Sequence, residues 1–141
     1  MDCRVTWLGN GGMAFSAETG SGHLINMDGA PEAGGRNLAP RPMELLLAGA
    51  GGCSAFDVVL ILQRARQAIS ACDVNLQSER ATEDPKVFTK INLHFTVKGK
   101  NLDLAKVERA VKLSHDKYCS ATTMLAKTAE ITYSIEVLND E

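Results

Sequence analysis

The stretch Leu45-Leu46-Leu47-Ala48-Gly49-Ala50-Gly51-Gly52-Cys53-Ser54-Ala55-Phe56-Asp57-Val58-Val59-Leu60-Ile61-Leu62 decides how this chain folds. It is apolar on nearly every helical face. Pro42 suits the first helical turn and Glu44 the positive end of the helix dipole, while Gln63, Arg64 and Arg66 mark a polar C-terminal end. A membrane span is the competing reading, because about 18 apolar residues approach the length required. Asp57 in the middle and the run of small residues around Gly49–Gly52 argue against it. A helix that is apolar all round must be buried all round. One short domain supplies one sheet to cover one side, and a second copy of the chain is the simplest cover for the other.

The rest of the composition fits that picture. The chain has 141 residues, 45% hydrophobic and 23% charged, as expected for one globular domain, 1–141. A net charge of -2 speaks against nucleic acid bound by phosphate neutralisation and against anionic lipid. Aromatic residues are only 5%, too few for base-stacking platforms. The N-terminus, Met1 to Trp7, lacks the charged-then-apolar pattern of a signal peptide, so a cytoplasmic location is expected.

Outward from the central helix, three short strands precede it: Arg4–Leu8, Met13–Glu18 and His23–Met27. Gly9–Gly12 and Thr19–Gly22 form the turns of an antiparallel meander. Residues 28–42 form a long glycine- and proline-rich loop. After the helix, residues 73–98 read as a hairpin turning at Thr82–Pro85. On the return strand, Val87, Thr89, Ile91, Leu93, Phe95 and Val97 point one way, and Gly99 ends it. Asp103 caps a helix to about Lys117, Ser120 a short one to Leu125, and Ile131–Val137 form a last strand. The order β-β-β, α, β-β, α-α, β defines an α+β domain with mostly antiparallel sheet.

Of the four cysteines, Cys3 and Cys72 read as ordinary structural residues. Cys53 lies inside the apolar helix directly after two glycines. Each glycine costs about 1 kcal/mol of helix propensity, which points to a close packing partner or a kink beside the thiol. Cys119 sits beside a helix start, where N–H dipoles favour a thiolate. Brought together by the fold, the two form a redox-capable dithiol. The plainer alternative is that both are small core residues.

Pro42-Met43-Glu44-Leu45-Leu46-Leu47-Ala48-Gly49-Ala50-Gly51-Gly52-Cys53, followed by His115-Asp116-Lys117-Tyr118-Cys119-Ser120, resembles the OsmC/Ohr family over essentially the whole chain. The resemblance implies an intertwined homodimer, with two central helices back to back, wrapped by sheets, and active sites at the seam. It implies thiol-dependent reduction of organic or lipid hydroperoxides, with Cys53 attacking, Cys119 resolving and an external dithiol as reductant. In the peroxidase branches an arginine faces the thiolate and a glutamate holds that arginine. Here Met13 and Met43 occupy those two positions, and Glu44, one residue on, points about 100° away. The chain thus resembles a branch lacking the pair.

Arg36 and Arg41, in the loop before the helix, are candidate replacements for the missing charge; as solvated loop residues they would do nothing. Asp57 shares a helical face with Cys53. It would either raise the thiol pKa or anchor one of those arginines. His115 stands four residues before Cys119 with no third ligand in view, so no metal is expected, and nothing calls for a cofactor. The alternative function is non-catalytic: an apolar, acyl-type ligand held in a seam pocket lined by Met13, Met43 and Phe56.

Overall fold

The computed structural model describes residues 1–141 and forms two compact units, Met1–Leu47 and Ala48–Glu141. The first is a meander of β1 (Cys3–Trp7), β2 (Phe15–Thr19) and β3 (Leu24–Met27), each antiparallel to its neighbour. The turn from β1 to β2 takes positive φ at Gly9, Asn10 and Gly11, and the Trp7 indole N–H donates to the Gly12 carbonyl at 2.9 Å. After β3 the chain enters the long loop, organised around the buried carboxylate of Asp28. One oxygen accepts from Gly29 N–H at 2.8 Å, the other from Arg36 N–H at 3.0 Å and Leu38 N–H at 3.2 Å. These donors hold the carboxyl below its ordinary range: Arg36 N–H contributes most, and partial desolvation opposes it.

Helix α1 runs Pro42–Arg64. Arg41 precedes it, and the Glu44 carboxylate accepts from the Arg41 backbone N–H at 2.8 Å, one half of a capping box. Beyond its C-terminus Arg66 takes positive φ, and Gln67 N–H bonds back to the Leu62 carbonyl at 2.9 Å. By length and composition α1 could cross a membrane. Its Asp57, however, receives a hydrogen bond from Ser114, and its Gly51 lies against Leu76, as in a helix packed on its own chain.

In the second unit β4 (Ala68–Arg80) and β5 (Phe88–Lys100) form the expected hairpin, and β6 (Glu130–Asn139) adds to β5. Strand β4 starts earlier than its alternation suggested, and Cys72 lies within it opposite Val97. Ile91, Leu93, Phe95 and Val97 are buried, as their spacing requires. Phe88, expected on the polar face, is buried as well, next to a register shift at Glu79/Arg80 that breaks the alternation. Gly99 does not end the strand. A Cβ there would stand 2.2 Å from the Ala68 carbonyl oxygen, so the glycine permits the hairpin's closest approach.

Three of the four strand pairings are antiparallel, as the expected mostly antiparallel sheet requires. Strand β6 runs parallel to β5, so the second sheet is mixed. Alternation fixes which face is buried but not which way a strand runs. The crossover through α2 (Leu104–Leu113) and α3 (Ser120–Leu125) brings the chain back in parallel. Helix α2, capped by the Asp103 carboxylate, packs Val107, Ala110 and Val111 into the core. It stops at Leu113, short of Lys117, and Ser114–Tyr118 form a wider π turn instead.

Candidate functional site

Cys53, Ser54 and Asp57 occupy one turn of α1. Gly51, just before them, supplies the close approach that its helix cost implied: a Cβ on it would lie 2.7 Å from Leu76 Cδ1 of β4. Gly49 and Gly52 meet nothing within 4 Å in their own chain.

The facing wall is the π turn and the start of α3. The wide turn closes through Cys119 N–H donating to the Ser114 carbonyl at 2.9 Å. Cys119, rather than Ser120, is the N-cap of α3, its sulfur accepting from Thr122 N–H at 3.5 Å. A second donor arrives from α1, where the Ser54 hydroxyl reaches the Cys119 Sγ at 3.2 Å. Ser114, also buried, donates its hydroxyl to Asp57 Oδ2 at 2.9 Å. The fold therefore brings together Cys53, Cys119 and Asp57, and adds Ser54, Ser114 and Thr122.

The two sulfurs differ. Cys119 is 0% exposed, whereas Cys53 is half-buried, and both are free thiols. Burial pushes the Cys119 thiol up, but the Ser54 hydroxyl, the Thr122 groups and the Cys53 thiol together overcome it and carry the value below 9.0. Cys53 is pushed above 9.0 by burial first, then by the neighbouring Cys119 and Asp57 charges, against a lowering contact from Ala121 N–H. The surroundings thus favour the thiolate at Cys119 over the thiolate at Cys53. Beside them Ser54, Phe95, Ser114, Thr122 and Tyr133 line a cavity of about 10 Å³, room for one water at most.

Other candidates stand as follows. The Arg36 guanidinium lies over the β1–β2 turn, donating to the Asn10 carbonyl at 3.4 Å and packing beside Gly12. Arg41 and Glu44 are engaged at the α1 cap. Met13 lies against Gly29 and Gly34 of the loop, Met43 is half-buried, and Phe56 is 67% exposed on α1. His115 packs edge-on to Tyr133 at 5.0 Å between centroids. The expected i, i+4 relation of His115 to Cys119 is lost in the π turn.

Sequence reasoning missed Ser54, Ser114 and Thr122. Ser54 carried a readable signal: a hydroxyl inside an otherwise apolar helix needs a buried partner. Ser114 carried none, since its role depends on the unanticipated π turn.

The chain that carries this arrangement is similar to known proteins over nearly its whole length. The family described as OsmC-like protein matches residues 34–134. Protein YhfA of Escherichia coli K12 is 52% identical over 138 residues, covering 98% of each chain. A solved structure from structural genomics, 49% identical, covers 99% of this chain and 100% of its own at a TM-score of 0.89. The organic hydroperoxide resistance protein OhrB of Bacillus subtilis, 18% identical, shares the fold over 96% of this chain and 98% of its own at a TM-score of 0.63. The chain belongs to the OsmC-like family, the OsmC/Ohr group that includes hydroperoxide-resistance proteins.

Proposed function

We propose that this protein reduces organic hydroperoxides with Cys53 as the attacking sulfur and Cys119 as the resolving one. The carrying observation is the meeting of two free cysteines from distant segments, one reachable and one enclosed among hydrogen-bond donors. The Cys53 thiolate attacks the outer peroxide oxygen; the O–O bond breaks, the alcohol leaves with a proton, and the sulfur becomes a sulfenic acid. The Cys119 thiolate then attacks that sulfur, forming the disulfide and releasing water once the hydroxide is protonated. An external dithiol returns two electrons. Because burial and the neighbouring charges favour the protonated Cys53 thiol, the rate of the first step climbs with pH. The Asp57 charge opposes that step.

We read 1–141 as one OsmC-like domain acting as a cytoplasmic homodimer. Relatives aligned over 98–99% of the chain support the single domain. The dimer is supported by α1, whose own chain buries only Ala50, Gly51, Ser54, Val58 and Leu62 and leaves Leu46 and Phe56 exposed. Covering one such side chain contributes about 1.5–3 kcal/mol.

Stopped-flow mixing with cumene hydroperoxide and dithiothreitol tests the reading. Wild type turns over and Cys53→Ser does not; with dithiothreitol left out, Cys119→Ser stops after one oxidation with a sulfenic acid that dimedone traps. Wild type no faster than Cys53→Ser overturns it. The raised Cys53 thiol is the observation favouring the second reading, an apolar ligand at the same seam. A copurified lipid in native mass spectrometry, with no peroxide turnover, decides for that one.

A further inference from the structure

We propose that Ser54 is the positioning residue for Cys119, its hydroxyl holding the enclosed sulfur as the leaving group when a dithiol reopens the Cys53–Cys119 disulfide. The proposal rests on the two-cysteine reading above and extends it to a residue outside the reacting pair. Ser54 is buried in a helix otherwise apolar around it, and its hydroxyl points 3.2 Å from the Cys119 sulfur. A hydroxyl there that only filled space would be a net cost, because a buried polar group without a useful partner destabilises the fold. A sulfur that must carry negative charge away from water is the partner that repays it.

Accessibility sets the direction of the exchange. Cys119 is 0% exposed, while Cys53 is partly open, so an external dithiol meets Cys53 first. Its thiolate forms a bond to the Cys53 sulfur, and the old S–S bond breaks with its electron pair passing to Cys119. The second thiol of the reductant then attacks the mixed disulfide. Cys53 leaves and takes a proton, and the reductant departs as its own disulfide, having given two electrons. Exchange speeds up as the departing thiolate becomes more stable. At the moment of departure the Cys119 sulfur faces two donors, the Ser54 hydroxyl and Thr122 N–H. The Thr122 donor comes with any sulfur at that helix cap; the Ser54 donor is supplied by a side chain and can be removed.

The test separates this role from peroxide chemistry by making the disulfide with diamide. In the full chain, dithiothreitol should reduce the Ser54→Ala disulfide about threefold or more slowly than wild type. In a Cys3→Ser, Cys53→Ser, Cys72→Ala background, where Cys119 is the one remaining thiol, absorbance at 240 nm should show its titration moving to higher pH by about one unit on Ser54→Ala. Val107→Ala is the control for loosened packing: it removes buried methyl groups from the core face of α2, outside the site, and should leave both readouts near wild type. Unchanged values in Ser54→Ala, or equal shifts in Val107→Ala, overturn the proposal, as does failure of diamide to join Cys53 to Cys119. Loss of cumene hydroperoxide turnover with normal disulfide exchange would instead sink the peroxidase reading and leave this one standing.

Discussion

Asp28 and Cys119 are both buried groups held toward their anionic forms by hydrogen-bond donors, yet they are built differently. Every donor to Asp28 is a backbone N–H of its own loop, from Gly29, Arg36 and Leu38. Cys119 takes one donor from its own helix cap and one from Ser54, on a different element. The first arrangement closes a loop and uses up its acceptor. The second leaves the sulfur beside another sulfur with which it can form a bond. Enclosing an anion is therefore not in itself a functional sign; the chemistry lies in what stands next to it.

The largest effect expected from this contrast is in the loop. Asparagine at 28 offers one carbonyl oxygen where the carboxylate uses two, and its NH2 would face backbone donors. Asp28→Asn should open the 28–42 loop, so that trypsin cleaves after Arg36 at least about tenfold faster, read by mass spectrometry. An unchanged cleavage rate would show that the three bonds do not hold the loop.

Acid and base separate the two anchors next. The Asp28 carboxyl has a lowered value, so its contribution is complete above its ordinary 3.8 and is lost as pH falls through the depressed value. The cysteine pair acts in another window. With the Cys119 proton leaving below 9.0, the folded chain binds fewer protons than the unfolded one between that value and 9.0, and stability rises with pH there. Above 9.0 the retained Cys53 proton reverses the sign. Urea unfolding of wild type against the Cys53→Ser, Cys119→Ser double variant should show a difference that peaks near pH 9. A difference that only falls with pH would place the first proton elsewhere.

These two anchors also show how far the sequence could be read. The alternation from Ile91 to Val97 was plain because burial on one face of a strand leaves a period of two, and the run from Leu45 to Leu62 was plain from its length and apolar composition rather than from any period. The meeting of Cys53 with Cys119 came from a family resemblance, since spacing alone cannot place two residues that far apart in the chain. Asp28 left no mark, because its partners are backbone groups that every residue possesses. The π turn was hidden for a related reason: five residues from Ser114 to Tyr118 are too few to display a period different from 3.6. The parallel course of β6 depends on the crossover, which its alternation does not record.

The smallest expected effect sharpens the contrast between a local anchor and one assembled from two elements. Ser54 stands three residues after Gly51 on α1, and the missing Cβ of Gly51 is what admits Leu76 of β4. Gly51→Ala gains helix propensity of about 1 kcal/mol but must push aside the Leu76 Cδ1 methyl, the movable end of a flexible side chain. Its net stability should stay close to wild type, while the Cys119 titration at 240 nm, read with Cys119 as the one remaining thiol (Cys3→Ser, Cys53→Ser, Cys72→Ala), moves upward by about a few tenths of a unit as Ser54 withdraws. Gly52→Ala meets open space within the chain, so it should leave that titration alone and show its effect only in self-association by analytical ultracentrifugation. Trypsin cleavage of the Asp28 loop should be the same in both variants. If Gly52→Ala moved the titration as far as Gly51→Ala, the Cys119 environment would depend on the helix as a whole rather than on its approach to Leu76, and the two-element account of that anchor would fail.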